Sequence, residues 1–418
     1  MRLSILSLLA LPLALSAQTT DVLFLGNSYV ATNDLPGVLR QLALSLGDSV
    51  NTAQSTPGGY TFQGHTTLAA SQQLIDQGGW DFVVLQEQSQ IPSFPLSQVQ
   101  ADCFPFAAEL VDSIRVHSPC AEPVFYMTWG RQNGDASNCA NWPPVCTFEG
   151  MNGLLRERYL TMAVDNDAWC APVGVAWKNS RDQQPAINLY STDGSHPSPA
   201  GTYLTACTFY AALFRESPVG AGYTAGLDPT TAAALQAIAA STVLDSLGTW
   251  NIGVNDPDAS FTTSNNGASV SFTPNNGAGY HTWIFGDGTT DNSTVTNHTF
   301  PASGLYEVMH IVVDDCGRAD TAIVPVNVVI SSMPEEGGTG ETVIAFNQLK
   351  LHNGQWWYTA EGEGTLDLYG TDGRLLDQAR LGALQTWSRW CRLPSTTVVL
   401  WRFTGVNGDV RQGRLLVP

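Results

Sequence analysis

Ser28 follows directly on Gly26-Asn27, which ends the apolar run Val22-Leu23-Phe24-Leu25. A short continuous apolar run reads as a strand of a parallel sheet, buried on both faces. Glycine lets the chain turn sharply out of such a strand, and asparagine tolerates uncommon backbone angles. Asp34 and Pro36 then mark a helix start. Leu35, Val38, Leu39, Leu42 and Leu46 follow at helical spacing, and Gly47 ends the helix. The pattern predicts a hydroxyl on a tight turn at the carboxyl end of a strand, the rim at which open α/β sheets bind ligands. Such a serine becomes a nucleophile only if a base stands beside it.

Three histidines precede residue 250: His65, His117 and His196. His117 follows an amphipathic helix and reads as a solvated surface residue. His65 follows a glycine-rich loop and stays open. His196 lies in Asp193-Gly194-Ser195-His196-Pro197-Ser198-Pro199, where Ser198 caps the next helix and Pro199 takes its first position. In a tight turn the Asp193 carboxylate can reach Nδ1 of His196, fix its tautomer and stabilise the imidazolium formed when Nε2 takes a serine proton.

The elements that must position these groups alternate. Strand-like runs are Asp21–Leu25, Ser49–Ser55, Phe82–Gln86, Val124–Trp129 and Ala171–Trp177. Helix-like segments are Leu35–Leu46, Phe106–Val116, Glu149–Ala163, Pro199–Arg215 and Thr230–Leu247. This predicts an α/β domain over residues 20–248, a three-layer, flavodoxin-like parallel sheet. Residues 251–330 are rich in Gly, Asn, Ser and Thr and carry alternating strands at Ala259–Thr263, Ser269–Thr273 and Leu305–Val313. They read as a small β-sandwich. Residues 331–340 read as a linker, and 341–418 again as all-β, with Asp372-Gly373 as a hairpin turn.

Composition limits the partners. The 418 residues are 43% hydrophobic and 13% charged, enough for a large core. The net charge of -19, from 18 basic and 37 acidic residues, argues against nucleic acid and anionic lipid as partners. Residues 1–17 read as a secretory signal peptide: Arg2, then an apolar run from Leu3 to Leu15 too short to span a bilayer, then small residues for cleavage after Ser16 or Ala17. No later run is long enough to span a membrane. All eight cysteines are disulfide candidates in an exported chain; six precede residue 210 (Cys103, Cys120, Cys139, Cys146, Cys170 and Cys207), with Cys139 and Cys146 a plausible local pair. No spacing points to a metal site, and no cofactor is called for.

A strand–Gly-Asn-Ser–helix at the start and Asp-x-x-His before the last helices together resemble the SGNH (GDSL-like) hydrolase superfamily. The resemblance implies Ser28 as nucleophile, His196 as base and acid, and Asp193 as orienting carboxylate. It also implies an oxyanion hole from the Ser28 N–H, a glycine N–H after the second strand, and a side-chain amide after the third. Pro57-Gly58-Gly59-Tyr60 occupies the second place, with Gly59 favoured over Gly58. Leu85-Gln86-Glu87-Gln88-Ser89-Gln90 occupies the third, with Gln88 favoured and Gln90 the alternative. The family's Gly-Asp-Ser-Leu is Gly-Asn-Ser-Tyr here, and its Gly-x-Asn-Asp is absent. The combination of Leu85-Gln86-Glu87-Gln88-Ser89 with Asp193-Gly194-Ser195-His196-Pro197-Ser198 resembles a divergent branch of the superfamily. At the same sheet edge Trp129 and Arg131 are candidate substrate contacts, Trp177 reads as core at the end of the fifth strand, and Glu87 as an ordinary loop carboxylate.

Trp283-Ile284-Phe285-Gly286-Asp287-Gly288, with Phe300 and Gly304-Leu305-Tyr306, resembles the PKD domain, a spacer or weak binder, in which Asp287 carries no chemistry. Leu366 to Arg374 and Gly405 to Val417 resemble the C-terminal sorting domain of the type IX secretion machinery, with another β-sandwich binding module as the alternative. The expected function is a secreted or surface-attached serine esterase acting on acylated carbohydrate or another small ester. The alternatives are a degenerate glycan- or protein-binding protein and an acyltransferase using the same three residues.

Overall fold

The structure, a computed structural model, describes residues 19–330 and 349–416, except 353–354, 361, 371–374, 384 and 391–397. The signal peptide, the 331–340 linker, the Asp372-Gly373 turn and Val417 lie outside these residues. Up to Ile330 the chain forms one compact unit, and from Ser331 a second.

The first domain runs β1 (Thr20–Leu25), α1 (Ser28–Ala31), α2 (Leu35–Leu46), β2 (Val50–Ser55), α3 (Phe62–Thr67), α4 (Ala69–Gln77), β3 (Phe82–Leu85), α5 (Leu96–Asp102), α6 (Phe104–His117), β4 (Glu122–Tyr126), α7 (Phe148–Asp165), β5 (Trp169–Ala171), α8 (Val173–Gln183), α9 (Pro199–Phe214) and α10 (Pro229–Leu244). Among the described residues its five strands are all parallel, in the order β2-β1-β3-β4-β5. Successive side chains of β4 show the layering. Phe125 packs on Phe62 of α3, and Tyr126 on Phe209 of α9. Helices therefore cover both faces, and Val22, Leu23, Phe24 and Leu25 are buried, as a parallel strand between two helix layers must be. This is the expected three-layer α/β fold. The strand order reverses at β1, so the crevice opens where the chain leaves β1 and β3, the usual ligand position in such sheets.

The expected cap and stop of α2 form: Asp34 accepts from Gly37 N, and Gly47 takes a left-handed φ of 107°. Two expected strands are corrected. The fourth stops at Tyr126, and Met127 to Trp129 continue as loop. The run Ala171–Trp177 is not a strand. β5 ends at Ala171, Pro172 interrupts it, and Val173, Ala176, Trp177 and Ser180 line the buried side of helix α8. Short apolar runs have no period long enough to separate strand from buried helix, and here proline decides.

Two antiparallel sheets follow: β6 (Phe261–Asn266), β7 (Ser269–Pro274) and β10 (Thr296–Thr299) in one, and β8 (Tyr280–Ile284), β9 (Thr290–Asp291), β11 (Gly304–Val313) and β12 (Ala319–Val328) in the other. Trp283, Phe285 and Phe300 fill the space between them. This sandwich is fastened to the first domain. Cys120, just before β4, is disulfide-bonded to Cys316 in the β11–β12 turn. Beside it Arg318 pairs with both Glu122 and Asp314, while Asn255 donates to Glu122 Oε2 (2.9 Å) and to the Asp167 carbonyl (2.8 Å). Cys139 and Cys146 form the expected local pair. Cys103, Cys170 and Cys207 do not pair: all three are free thiols buried in the core of the first domain, where they pack as small apolar groups.

The second unit is antiparallel throughout its described residues. Its sheets are β13 (Leu349–His352), β14 (Gln355–Thr359) and β17 (Thr386–Trp390), and β15 (Gly364–Gly370), β16 (Leu375–Leu381), β18 (Val398–Gly405) and β19 (Val410–Leu416). Trp356, Tyr358, Leu366, Leu368 and Phe403 lie in its core.

Candidate active site

Ser28 is the first residue of α1, half-buried just beyond β1. The turn that places it needs its glycine. A Cβ on Gly26 would stand 2.7 Å from Val30 Cγ2 and 2.8 Å from Gln86 Oε1. Asn27 caps α1 by accepting from Tyr29 N (3.1 Å) and donates from Nδ2 to the Tyr60 carbonyl (2.9 Å). Its own N–H donates to Gln86 Oε1 (2.9 Å).

His196 Nε2 lies 2.8 Å from Ser28 Oγ, and His196 Nδ1 lies 2.5 Å from Asp193 Oδ2. A carboxylate can only accept, so Nδ1 carries the proton and Nε2 turns its lone pair on the serine. Partial burial would raise the Asp193 pKa. Hydrogen bonds from the His196 ring and from the N–H groups of Ser195 and His196 outweigh this and hold it below the ordinary value. The histidine and aspartate side chains are 35% and 49% exposed, so a ligand can reach them.

The loop carrying Asp193 and His196 is held from several sides. Gly194 takes φ 67°, a conformation that favours glycine. The Gly194 carbonyl accepts from Gln132 N (2.8 Å), and the Ser195 carbonyl from Trp129 Nε1 (3.0 Å). Tyr29 Oη is 2.6 Å from Ser195 Oγ, and Asn33 Nδ2 donates to the Pro197 carbonyl (3.1 Å). Tyr29 and Asn33 come from the Ser28 segment, so one short stretch supplies the hydroxyl and braces the loop bearing its base. Ser198 caps α9 as expected, accepting from Gly201 N.

Trp129 is not available to a substrate. It is fully buried, its ring stacked between Tyr29 (4.8 Å) and Trp177 (3.6 Å), and it serves as the floor under the His196 loop. Trp177 is core, as expected, but on helix α8. Arg131 is engaged by Asp135 (3.2 Å), a fully buried carboxylate that also accepts from Gln90 Nε2 (2.6 Å) and Asn138 Nδ2 (2.7 Å). Burial would raise the Asp135 pKa, but these donors hold it below its ordinary value. The Arg131 charge is therefore already compensated, which weakens its case as an anion contact.

Gly58 and Gly59 form the middle of a turn closed by Tyr60 N to the Pro57 carbonyl (3.3 Å), with Gly59 at φ 67°. A φ of that sign at the third residue of a turn favours glycine. Gln88 folds back on its own loop. Its Oε1 accepts from Gln90 N (2.8 Å) and Ile91 N (3.3 Å), and one Nε2 hydrogen goes to Gln90 Oε1 (3.1 Å). Gln90 likewise gives one Nε2 hydrogen to Asp135, so each of the two glutamines retains one amide hydrogen.

His65 is not a second base. It is fully buried, with Nε2 donating to the Gly26 carbonyl (2.9 Å) and Nδ1 beside Ser71 Oγ (2.7 Å); burial lowers its pKa. His117 lies at the surface, 3.3 Å from Asp76. Glu87 is no ordinary loop carboxylate: it is fully buried and bound by two backbone N–H groups. Sequence reasoning missed it. The available signal was a charged residue directly continuing a buried apolar strand. Among the described residues, no cluster of three or more His, Cys, Asp or Glu could hold a metal ion, and no helix is long and apolar enough to cross a membrane.

No curated protein matches the chain. Among solved structures it is similar to a DUF4886 family protein from Bacteroides uniformis ATCC 8492, at 20% identity and TM-score 0.48, over 54% of this chain and 95% of that one. It is also similar to a protein assigned to the SGNH hydrolases from Slackia heliotrinireducens, at 29% identity and TM-score 0.38, over 46% and 97%. A third likeness is to the psychrotrophic esterase EstA from Pseudoalteromonas sp., at 14% identity and TM-score 0.34, over 47% and 97%. Residues 249–328 match the family model of the PKD domain, and the sandwich of β6 to β12 is that domain.

Proposed function

We propose that the first domain is a serine ester hydrolase. The reading rests on one observation, the 2.8 Å contact between Ser28 Oγ and a His196 Nε2 whose far nitrogen is held by Asp193. In this reading Ser28 Oγ attacks the ester carbonyl carbon as His196 takes the hydroxyl proton. The carbonyl oxygen becomes an oxyanion, held by the N–H groups of Ser28 and Gly59 and by the Gln88 amide. The intermediate collapses to an acyl-serine, and the alcohol leaves with the proton from His196. Water then attacks the acyl group, again through His196, returning Ser28 and releasing the acid. Each oxyanion donor contributes about 3 kcal/mol to transition-state stabilisation in comparable sites.

The substrate class we favour is a small acyl group, such as acetyl, carried on carbohydrate. What supports it is the open, solvent-facing dyad of His196 and Asp193 and the rigidly attached PKD domain. The signal peptide and the resemblance to a sorting domain support an exported protein, secreted or held at the surface by type IX secretion. The disulfides accord with that compartment.

The test is labelling with a serine-reactive fluorophosphonate, alongside turnover of an aryl acetate. Wild type is expected to label and turn over, and Ser28→Ala and His196→Ala to do neither. Wild-type protein that does neither, while binding glycan with Ser28 or without it, would leave a binding module instead. Acyl transfer to an added sugar acceptor would show a transferase.

A further inference from the structure

Glu87 stands at the end of β3 with no exposed surface. Its two oxygens accept from Phe62 N at 3.1 Å each, and Oε1 accepts from Gln88 N at 2.6 Å. Phe62 opens α3, directly behind the Pro57–Tyr60 turn that carries Gly59, and Gln88 opens the glutamine loop. A single carboxyl group thus ties together, by their backbones, the loops that follow β2 and β3.

Its neighbour Gln86 adds the third loop. Gln86 Oε1 accepts from Asn27 N at 2.9 Å, and its Nε2 donates to the Glu87 carbonyl. Asn27 Nδ2 closes the triangle on the Tyr60 carbonyl. Every loop that the esterase reading asks to supply an oxyanion donor is therefore bound to the pair Gln86-Glu87. An apolar side chain of similar bulk would leave the Phe62 and Gln88 N–H groups without this acceptor. Burying a carboxyl is costly unless its partners need it, and its partners here are two backbone donors on two different loops.

We infer that Glu87 is a positioning residue for ester hydrolysis, setting the separation of the Gly59 turn and the Gln88 loop around the oxyanion. The inference rests on the reading of the site as an esterase. It makes no contact with substrate part of the role of Glu87: the carboxyl acts through the Phe62 and Gln88 backbones.

The test compares Glu87→Leu, Glu87→Gln and Glu87→Asp in the full chain, with active sites counted by fluorophosphonate. Leucine keeps the bulk and removes the acceptor. Glutamine keeps one acceptor oxygen in place, and aspartate keeps the carboxyl but draws it back by a methylene. Expected are a fall of about tenfold or more in kcat per labelled site on an aryl acetate for the leucine variant, with KM within about twofold. A several-fold fall for aspartate and substantial rescue by glutamine are also expected. A folded leucine variant with kcat within about twofold of wild type overturns the inference; if leucine does not fold, an aspartate variant with unchanged kcat does so. Wild type that neither labels nor turns over overturns the esterase reading itself, and Glu87's role with it.

Discussion

At the scale of single residues, Asp193 and Glu87 are carboxyls pushed in opposite directions. Asp193 is held below its ordinary pKa against partial burial, because His196 and two backbone N–H groups stabilise its anion. Asp193→Asn can still bond Nδ1 but through either tautomer of the ring. A fall of about 10²- to 10⁴-fold in kcat on an aryl acetate is expected, with little change in KM; unchanged kcat would show that His196 needs no orienting charge. For Glu87, burial outweighs the hydrogen bonds from Gln88 and Phe62 and pushes its pKa to about 8. The groups facing it, the Cys103 thiol and the Tyr159 hydroxyl, are themselves pushed up by burial and stay neutral. With the native pKa above the unfolded one, the native state binds the extra proton, so stability is full below the unfolded pKa near 4.5 and is lost as pH rises through about 8. Thermal unfolding of wild type against Glu87→Gln across that window checks this. The glutamine variant is expected to lack the alkaline loss.

At the scale of elements, the Ser28 turn is set by packing as much as by its own residues. Gly26 has no positive φ, so its need for glycine comes from the closeness of Gln86 and Val30. In Gly26→Ala the new methyl displaces the Gln86 amide from Asn27 N and shifts the hydroxyl relative to His196. A shift near an ångström costs about 10²-fold, so a fall of roughly 10- to 100-fold in kcat is expected even where the variant folds. Unchanged kcat with normal unfolding would mean that the turn absorbs the methyl. The stack Tyr29–Trp129–Trp177 explains why the expected tryptophan contact failed. A flat aromatic at a sheet edge reads equally as a platform or as a floor, and only the neighbours above it decide.

At the scale of the whole molecule, the PKD domain is locked to the first domain rather than hung from it. The Cys120–Cys316 bond closes a separation of 196 residues, and Arg318 and Asn255 bind on either side of it. Removing the pair with Cys120→Ser and Cys316→Ser is expected to cost about 2–5 kcal/mol by the loop-entropy account. A lower unfolding temperature and faster proteolysis between the two domains are expected, while aryl acetate turnover holds, since neither cysteine touches the Ser28 site. Equal protease resistance would show that the non-covalent contacts suffice.

The sequence by itself offered Cys139–Cys146 as a candidate pair and, through a family resemblance, Ser28, Asp193 and His196 as a candidate set; it determined the α/β alternation and the caps of α2 and α9. Each rests on local signals: apolar runs, a capping side chain and a proline or glycine within a few residues. It could not determine which cysteine meets Cys316, whether Ala171–Trp177 turns as strand or helix, or that Glu87 lies buried between two loops. Those depend on which surfaces the sheet brings together from distant parts of the chain. The 168 positions between Ser28 and His196 were bridged only by the tertiary structure. Parallel strands send consecutive loops to the same sheet edge, and that is where a hydroxyl and an imidazole so far apart in the chain can share a proton.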